Sequence, residues 1–201
     1  MISAMAVSAV ALAPAAAAAP GEDALASVLT AEPAAYDDNA SDYDILTAAV
    51  LAVLEAKPDS KVTVLTDGTA PLTAFLPTDR AFGNLVNSLT GTGPDTEQAT
   101  FDAVAGLGID TVETVLLYHV VPGAAVDAGA VLDSDGAALK TAAGPRVTVD
   151  VRSDTNVALV DKDRNARNAR VVLEQTDIND GNKQLAHGID RVLRPADLPA
   201  A

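Results

Sequence analysis

Thr73-Ala74-Phe75-Leu76-Pro77-Thr78-Asp79-Arg80-Ala81-Phe82 contains a complete change of secondary structure. Leu72 to Leu76 reads as a strand. Pro77 has no N–H and a fixed φ, so it ends the ladder and sets the turn. Thr78 and Asp79 can accept the orphan N–H groups of the helix that follows. Phe82 then enters the core one turn later, on a face shared with Leu85, Val86 and Leu89.

Toward the N-terminus, Lys61–Leu65 reads as a second strand, joined to the first through Thr66-Asp67-Gly68-Thr69, a turn of hairpin residues. Before it, Ser41 and Asp44 form a capping-box pair. They open a helix with Ile45, Leu46, Ala49, Val50, Val53 and Leu54 on one face, and Pro58 stops it. Asp37-Asp38-Asn39 is a polar break, and Asp23 to Glu32 reads as a short helix.

Toward the C-terminus, Gly91-Thr92-Gly93-Pro94 is a loop. A helix from Glu97 places Phe101, Val104 and Ala105 inward and ends at Gly106-Leu107-Gly108. Asp110 and Glu113 form a second capping pair, opening a helix that presents Val112, Val115, Leu116 and His119 on one face before Pro122-Gly123 turns the chain. From Val126 the period changes to two. Val147, Val149 and Val151 alternate with Thr148 and Asp150, and Val157–Val160, Val171–Leu173 and Ala186–Leu193 complete a strand-rich half. Helices followed by antiparallel strands predict an α+β fold with segregated layers. No internal repeat is visible, so residues 21–196 read as one domain, with 197–201 a short tail.

Residues 1–20, MISAMAVSAVALAPAAAAAP, contain no charged residue. An apolar run from Met5 to Leu12 leads into repeated Ala-x-Ala, the pattern of a secretory signal peptide with cleavage near Ala19–Gly21. The first basic residue is Lys57, so the positive n-region is missing and the true start is expected upstream. The stretch is too short and too rich in Ala for a membrane span. The chain has no cysteine, which excludes a disulfide framework and a cysteine-linked lipid anchor. A secreted or surface-associated protein without stable membrane insertion is the expectation.

Composition narrows the partners. Thirteen Lys+Arg against 28 Asp+Glu give a formal net charge of −15, and aromatics are only 3% with no Trp. The densest basic stretch, Lys162 to Arg170, is interrupted by acid and neutral residues and reads as a solvated loop or strand rim. Nucleic acid is therefore not an expected partner.

Three segments together resemble the fasciclin (FAS1) domain family. The first is Thr73 to Phe82, similar to "T-x-F-x-P-T-D-x-A-F". The second is Leu116-Leu117-Tyr118-His119-Val120-Val121-Pro122-Gly123, similar to the family's Tyr-His segment. The third is His187-Gly188-Ile189-Asp190-Arg191-Val192-Leu193-Arg194-Pro195, similar to "H-V-I-D-x-V-L-x-P". The resemblance covers about residues 23–196. It implies a β-wedge or sandwich with helices packed on one side, and an adhesive role without catalysis. Thr78, Asp79, Phe82, Tyr118, His119, His187 and Asp190 carry the family pattern and are expected to be structural. Before the last segment, Asn182-Lys183-Gln184-Leu185-Ala186-His187 is one residue longer than the usual Asn-Gly-Val-Ile-His, so that turn differs. The integrin-binding "N-K-D-I-L" of some animal members is reduced here to Asp177-Ile178, and integrin binding is not carried over.

The chemistry-bearing residues give no catalytic set. His119 falls on an apolar helix face, as a hydrogen-bonded core histidine would. His187 and Asp190 are three apart in a strand, so they point to opposite faces. Neither a Cys nucleophile nor a G-x-S-x-G segment is present. Asp161-Lys162-Asp163-Arg164-Asn165 opens like a calcium loop, but Ala166 replaces the turn Gly and Val172 the final Glu. No metal or cofactor is expected. The expected function is extracellular binding to a surface protein or polysaccharide. The alternative is a small-molecule or lipid carrier using a groove between helices and sheet.

Overall fold

The computed structural model describes residues 20–31, 36–37 and 39–196; the expected leader before Pro20, the 197–201 tail, Glu32 and Asp38 lie outside them. Its organising element is β1 (Leu72–Pro77), buried along its whole length. Alternation sends Ala74 and Leu76 to one face and Phe75 to the other. β1 pairs antiparallel with β2 (Val120–Pro122), and parallel with β7 (Gln184–Ile189) from Leu72↔Gln184 to Pro77↔Ile189. The order is β2-β1-β7.

Against the Ala74/Leu76 face pack α1 (Leu25–Leu29), α2 (Asp44–Ala56), α3 (Asp79–Thr90), α4 (Glu97–Ala105) and α5 (Ile109–Tyr118). They contribute Leu25, Ile45, Val53, Phe82, Leu85, Val104, Val112 and Leu116. Each such side chain contributes about 1.5–3 kcal/mol on burial. The Phe75 face meets a second, antiparallel sheet ordered β3-β4-β5-β6: Ala138–Lys140, Arg146–Ser153, Asn156–Val160 and Ala169–Arg170. Val147, Val149, Val157 and Leu159 close that core with Phe75, Tyr118 and Ile189. The result is helices, sheet, then sheet: an α+β wedge with helices on one side, as the sequence predicts.

Several local expectations are corrected. Lys61–Thr66 is a 3-10 helix rather than a strand. Both edges of β1 are already filled by β2 and β7, so residues 61–65 have no ladder to join, and Ser60 Oγ accepts the Val62 N–H instead. Gly68 therefore does not serve a hairpin. A Cβ there would stand 1.8 Å from the Glu22 carbonyl oxygen, so it permits a close crossing of the N-terminal segment. Ser41 does not cap α2, and the Asp110/Glu113 pair does not cap α5. Both carboxylates turn to Lys57, and Glu113 also accepts from Ser60, while α5 begins after Gly108 at φ 89°. Ala105 is exposed, and the period-two region opens with α6 (Ala128–Leu132), capped by the Asp127 carboxylate. The Val171–Leu173 strand resolves into β6, ending at Arg170, and a 3-10 turn at Leu173–Gln175. The last strand is Gln184–Ile189, not Ala186–Leu193, and its pairing with β1 is parallel.

Candidate functional site

The three family-like segments form one hydrogen-bonded unit. Phe75 N–H donates to the His119 carbonyl at 2.9 Å, and Thr78 N–H to that of Ile189 at 3.1 Å. The His119 ring closes the set: Nδ1–H donates to the Val115 carbonyl at 2.7 Å, and Nε2 accepts the Leu193 N–H at 2.8 Å. Burial pushes its pKa down to about 4, which keeps the ring neutral in this role. Tyr118 is fully buried, with its hydroxyl donating to the Arg146 carbonyl.

His187 is likewise tied to backbone. Nε2–H donates to the Val126 carbonyl at 2.8 Å, and Nδ1 accepts the Asp177 N–H at 3.4 Å. Asp190 accepts the Arg170 N–H, and the Asp177 carboxylate accepts the Ala128 N–H. Ile178 bridges to Ala186 and packs on the helical core, so Asp177-Ile178 is internal wiring. Every histidine nitrogen thus has a backbone partner, which leaves neither ring poised as a general base.

Thr78 and Asp79 do not cap their own helix through side chains, contrary to expectation. The Thr78 carbonyl receives Ala81 and Phe82, while the Asp79 carboxyl crosses to α2, accepting Asp44 N–H at 3.2 Å and Ile45 N–H at 3.0 Å. Asp42 and Glu97 lie beside it, their oxygens within 4.8 Å of one another. Burial, and then a hydrogen bond shared with Asp42, push the Asp79 pKa up to about 8; Glu97 is also raised, chiefly by burial. Here a proton shared between carboxyls offsets the like charges.

The loop that opens like a calcium site has its oxygens engaged by protein. Asp161 accepts the N–H groups of Asp163 and Arg194, and Asp163 those of Asn165 and Ala166. The buried Asp163 carboxylate also takes Arg194 Nη1 at 2.9 Å. Burial raises the Asp163 pKa, but these N–H bonds and the guanidinium outweigh it and hold the group below the usual range.

Two cavities bear on binding. Among α2 to α5, Phe82, Leu85, Val104, Val112 and Leu116 line an apolar cleft of only about 20 Å³. That is room for about one water molecule, far below what a lipid needs. The second is an open groove of about 790 Å³ on the outer face of the four-stranded sheet. Because Val147 and Val149 face the core, alternation turns Arg146, Thr148 and Arg152 of β4 outward. Arg170 of β6 stands opposite Ala158 of β5, and the 161–168 connection and Arg191 form the other wall. Seven of the chain's 13 basic side chains line this groove. Sequence reading found only the Lys162–Arg170 part. Arg146, Arg152 and Arg191 are remote in the chain, and the outward positions of β4 were the available signal.

Comparison with known proteins agrees with this architecture. The family profile described as Fasciclin domain matches residues 46–195. No curated protein sequence matches the chain. A solved structure, a FAS1 domain pair from the insect cell adhesion molecule Fasciclin I, superposes with a TM-score of 0.51 at 15% identity. The match covers 74% of this chain and 46% of that one.

Proposed function

Because the chain belongs to the fasciclin domain family, we propose that it is an extracellular binding module that attaches to a cell surface, a matrix or a polysaccharide. Domains of this type are adhesion modules of extracellular and cell-surface proteins. No described helix is long and apolar enough to cross a membrane. The observation that carries the reading is the division of labour within the fold. The histidines and Tyr118 are engaged in holding three segments together, whereas an open groove of about 790 Å³ lies on an outer sheet face. This favours a reading in which the histidines serve the frame and binding uses a separate face. The carrier alternative has no volume to work with in the helical cleft.

Export with processing near Ala19–Gly21 belongs to the same proposal. Gly21 is already held by the fold, donating to the Gly181 carbonyl at 2.7 Å and accepting Lys183 N–H at 3.0 Å. The test is affinity capture: immobilised mature domain is incubated with solubilised cell envelope and a panel of glycans, and retained species are identified. N-terminal sequencing of secreted product checks the processing site. Reproducible retention of a surface component supports the proposal. Turnover of a small molecule with no retained component contradicts it.

A further inference from the structure

We propose that the groove on the outer face of the four-stranded sheet binds an anionic polysaccharide, a chain whose carboxylates are spaced by neutral sugar units. This rests on the adhesive reading above and names its partner and surface. A protein of net charge −15 places seven of its 13 basic side chains around one concavity, a concentration that composition does not require. Six of the seven are arginines, whose planar forks suit bidentate contact with carboxylates. Arg167, Arg170 and Arg191 form no ion pair among the described residues. The volume of about 790 Å³ falls within the range of ligand sites.

Charge alone would also suit nucleic acid, but the lining argues against it. No aromatic side chain is present on which bases could stack. Asp161, Asp163 and Asp190 interrupt the positive wall, which disfavours a ligand with one charge on every unit. Thr148 and Asn168 add neutral donors and acceptors, which sugar hydroxyls use and a bare polyanion does not. The floor at Ala158 and Val160 is small and apolar, leaving room for a ring face. Outside the groove the surface is strongly acidic, so a polyanion is steered to this face and repelled elsewhere.

The test is retention of the full chain on immobilised hyaluronate, in which each glucuronate is followed by a neutral N-acetylglucosamine, with dextran as the neutral gel and single-stranded DNA as the competing polyanion. Wild type is expected to bind hyaluronate, to weaken as salt rises from about 50 to about 200 mM, and to ignore dextran. Arg167→Glu/Arg170→Glu/Arg191→Glu should lose at least roughly tenfold in affinity at unchanged melting temperature. If that variant misfolds, Arg167→Gln/Arg191→Gln serves, with a smaller loss in the same direction. Unchanged binding by a folded groove variant, equal binding to dextran, or preference for DNA overturns the inference. Envelope capture by wild type that survives in the groove variant overturns it while leaving the adhesive function intact. No envelope capture by wild type would instead remove that function.

Discussion

The Asp79 carboxyl accepts the Ile45 N–H at 3.0 Å, so a residue that begins one helix caps another that starts 35 positions earlier. The strand-to-helix segment and α2 are thereby locked to each other from the side of the helical core. Thr78 and Asp79 are bound to frame geometry, and they are buried.

Asp79 gives the fold a pH dependence of defined sign. Its pKa is raised from 3.8 to about 8, so the native state keeps a proton that the unfolded chain releases. The stabilisation is complete below the unfolded pKa and is lost as pH rises through the folded one. His119 acts oppositely: lowered from 6.5 to about 4, it loses stability as pH falls through that range. Between pH 6.5 and about 8 only the Asp79 slope remains of these two. Asp79→Asn should flatten the decline of melting temperature over that window, followed by circular dichroism. An unchanged slope would show that Asp79 titrates normally.

His119→Ala removes the ring that links Val115 to Leu193 and leaves the Leu193 N–H unpaired in the core. Cavity and lost bond together should cost about 2–4 kcal/mol. Urea unfolding measures this, and the folded fraction should bind its target as wild type does. Normal stability with lost binding would place His119 in the binding surface.

Arg194→Ala leaves the buried Asp163 carboxylate without its counter-charge and should destabilise by about 3–5 kcal/mol. Asp163→Asn combined with Arg194→Met should recover part of that loss, because no isolated charge then remains. A double variant as unstable as the Arg194 single would refute the pairing argument.

Gly68→Ala places a Cβ 1.8 Å from the Glu22 carbonyl, a clash between two backbones that no side-chain rotation relieves. The 21–25 segment should detach, taking buried Leu25 with it, at a cost on the order of 2 kcal/mol. Limited proteolysis should then cut near residues 21–30 before the rest of the chain. Wild-type resistance there would mean the crossing is looser than described.

The layers were legible in the sequence because they follow from local periodicity: Val147, Val149 and Val151 alternate, and the faces of α2, α3 and α5 repeat at helical spacing. Capping was misread because a side-chain oxygen near a helix start satisfies the local rule whether it turns to its own helix or to another. Asp79, Asp110 and Glu113 all chose distant partners. Lys61–Leu65 has strand composition but no free edge to pair with, a fact that exists only in three dimensions. The groove was half visible. Lys162–Arg170 drew notice as a basic run, but its meaning depends on Arg146 and Arg152, which β4 carries to the same face.

The most direct test of the adhesive function is density dependence. No aromatic anchor patch lines the groove, so single contacts should be weak and many copies should act together. Beads carrying the mature domain at graded densities are mixed with intact cell envelopes, and retained mass is read against density. The account predicts little retention at low density and a steep rise at high density, abolished by soluble anionic polysaccharide. Absence of retention at every density, or a nanomolar monovalent affinity that makes density irrelevant, would contradict it.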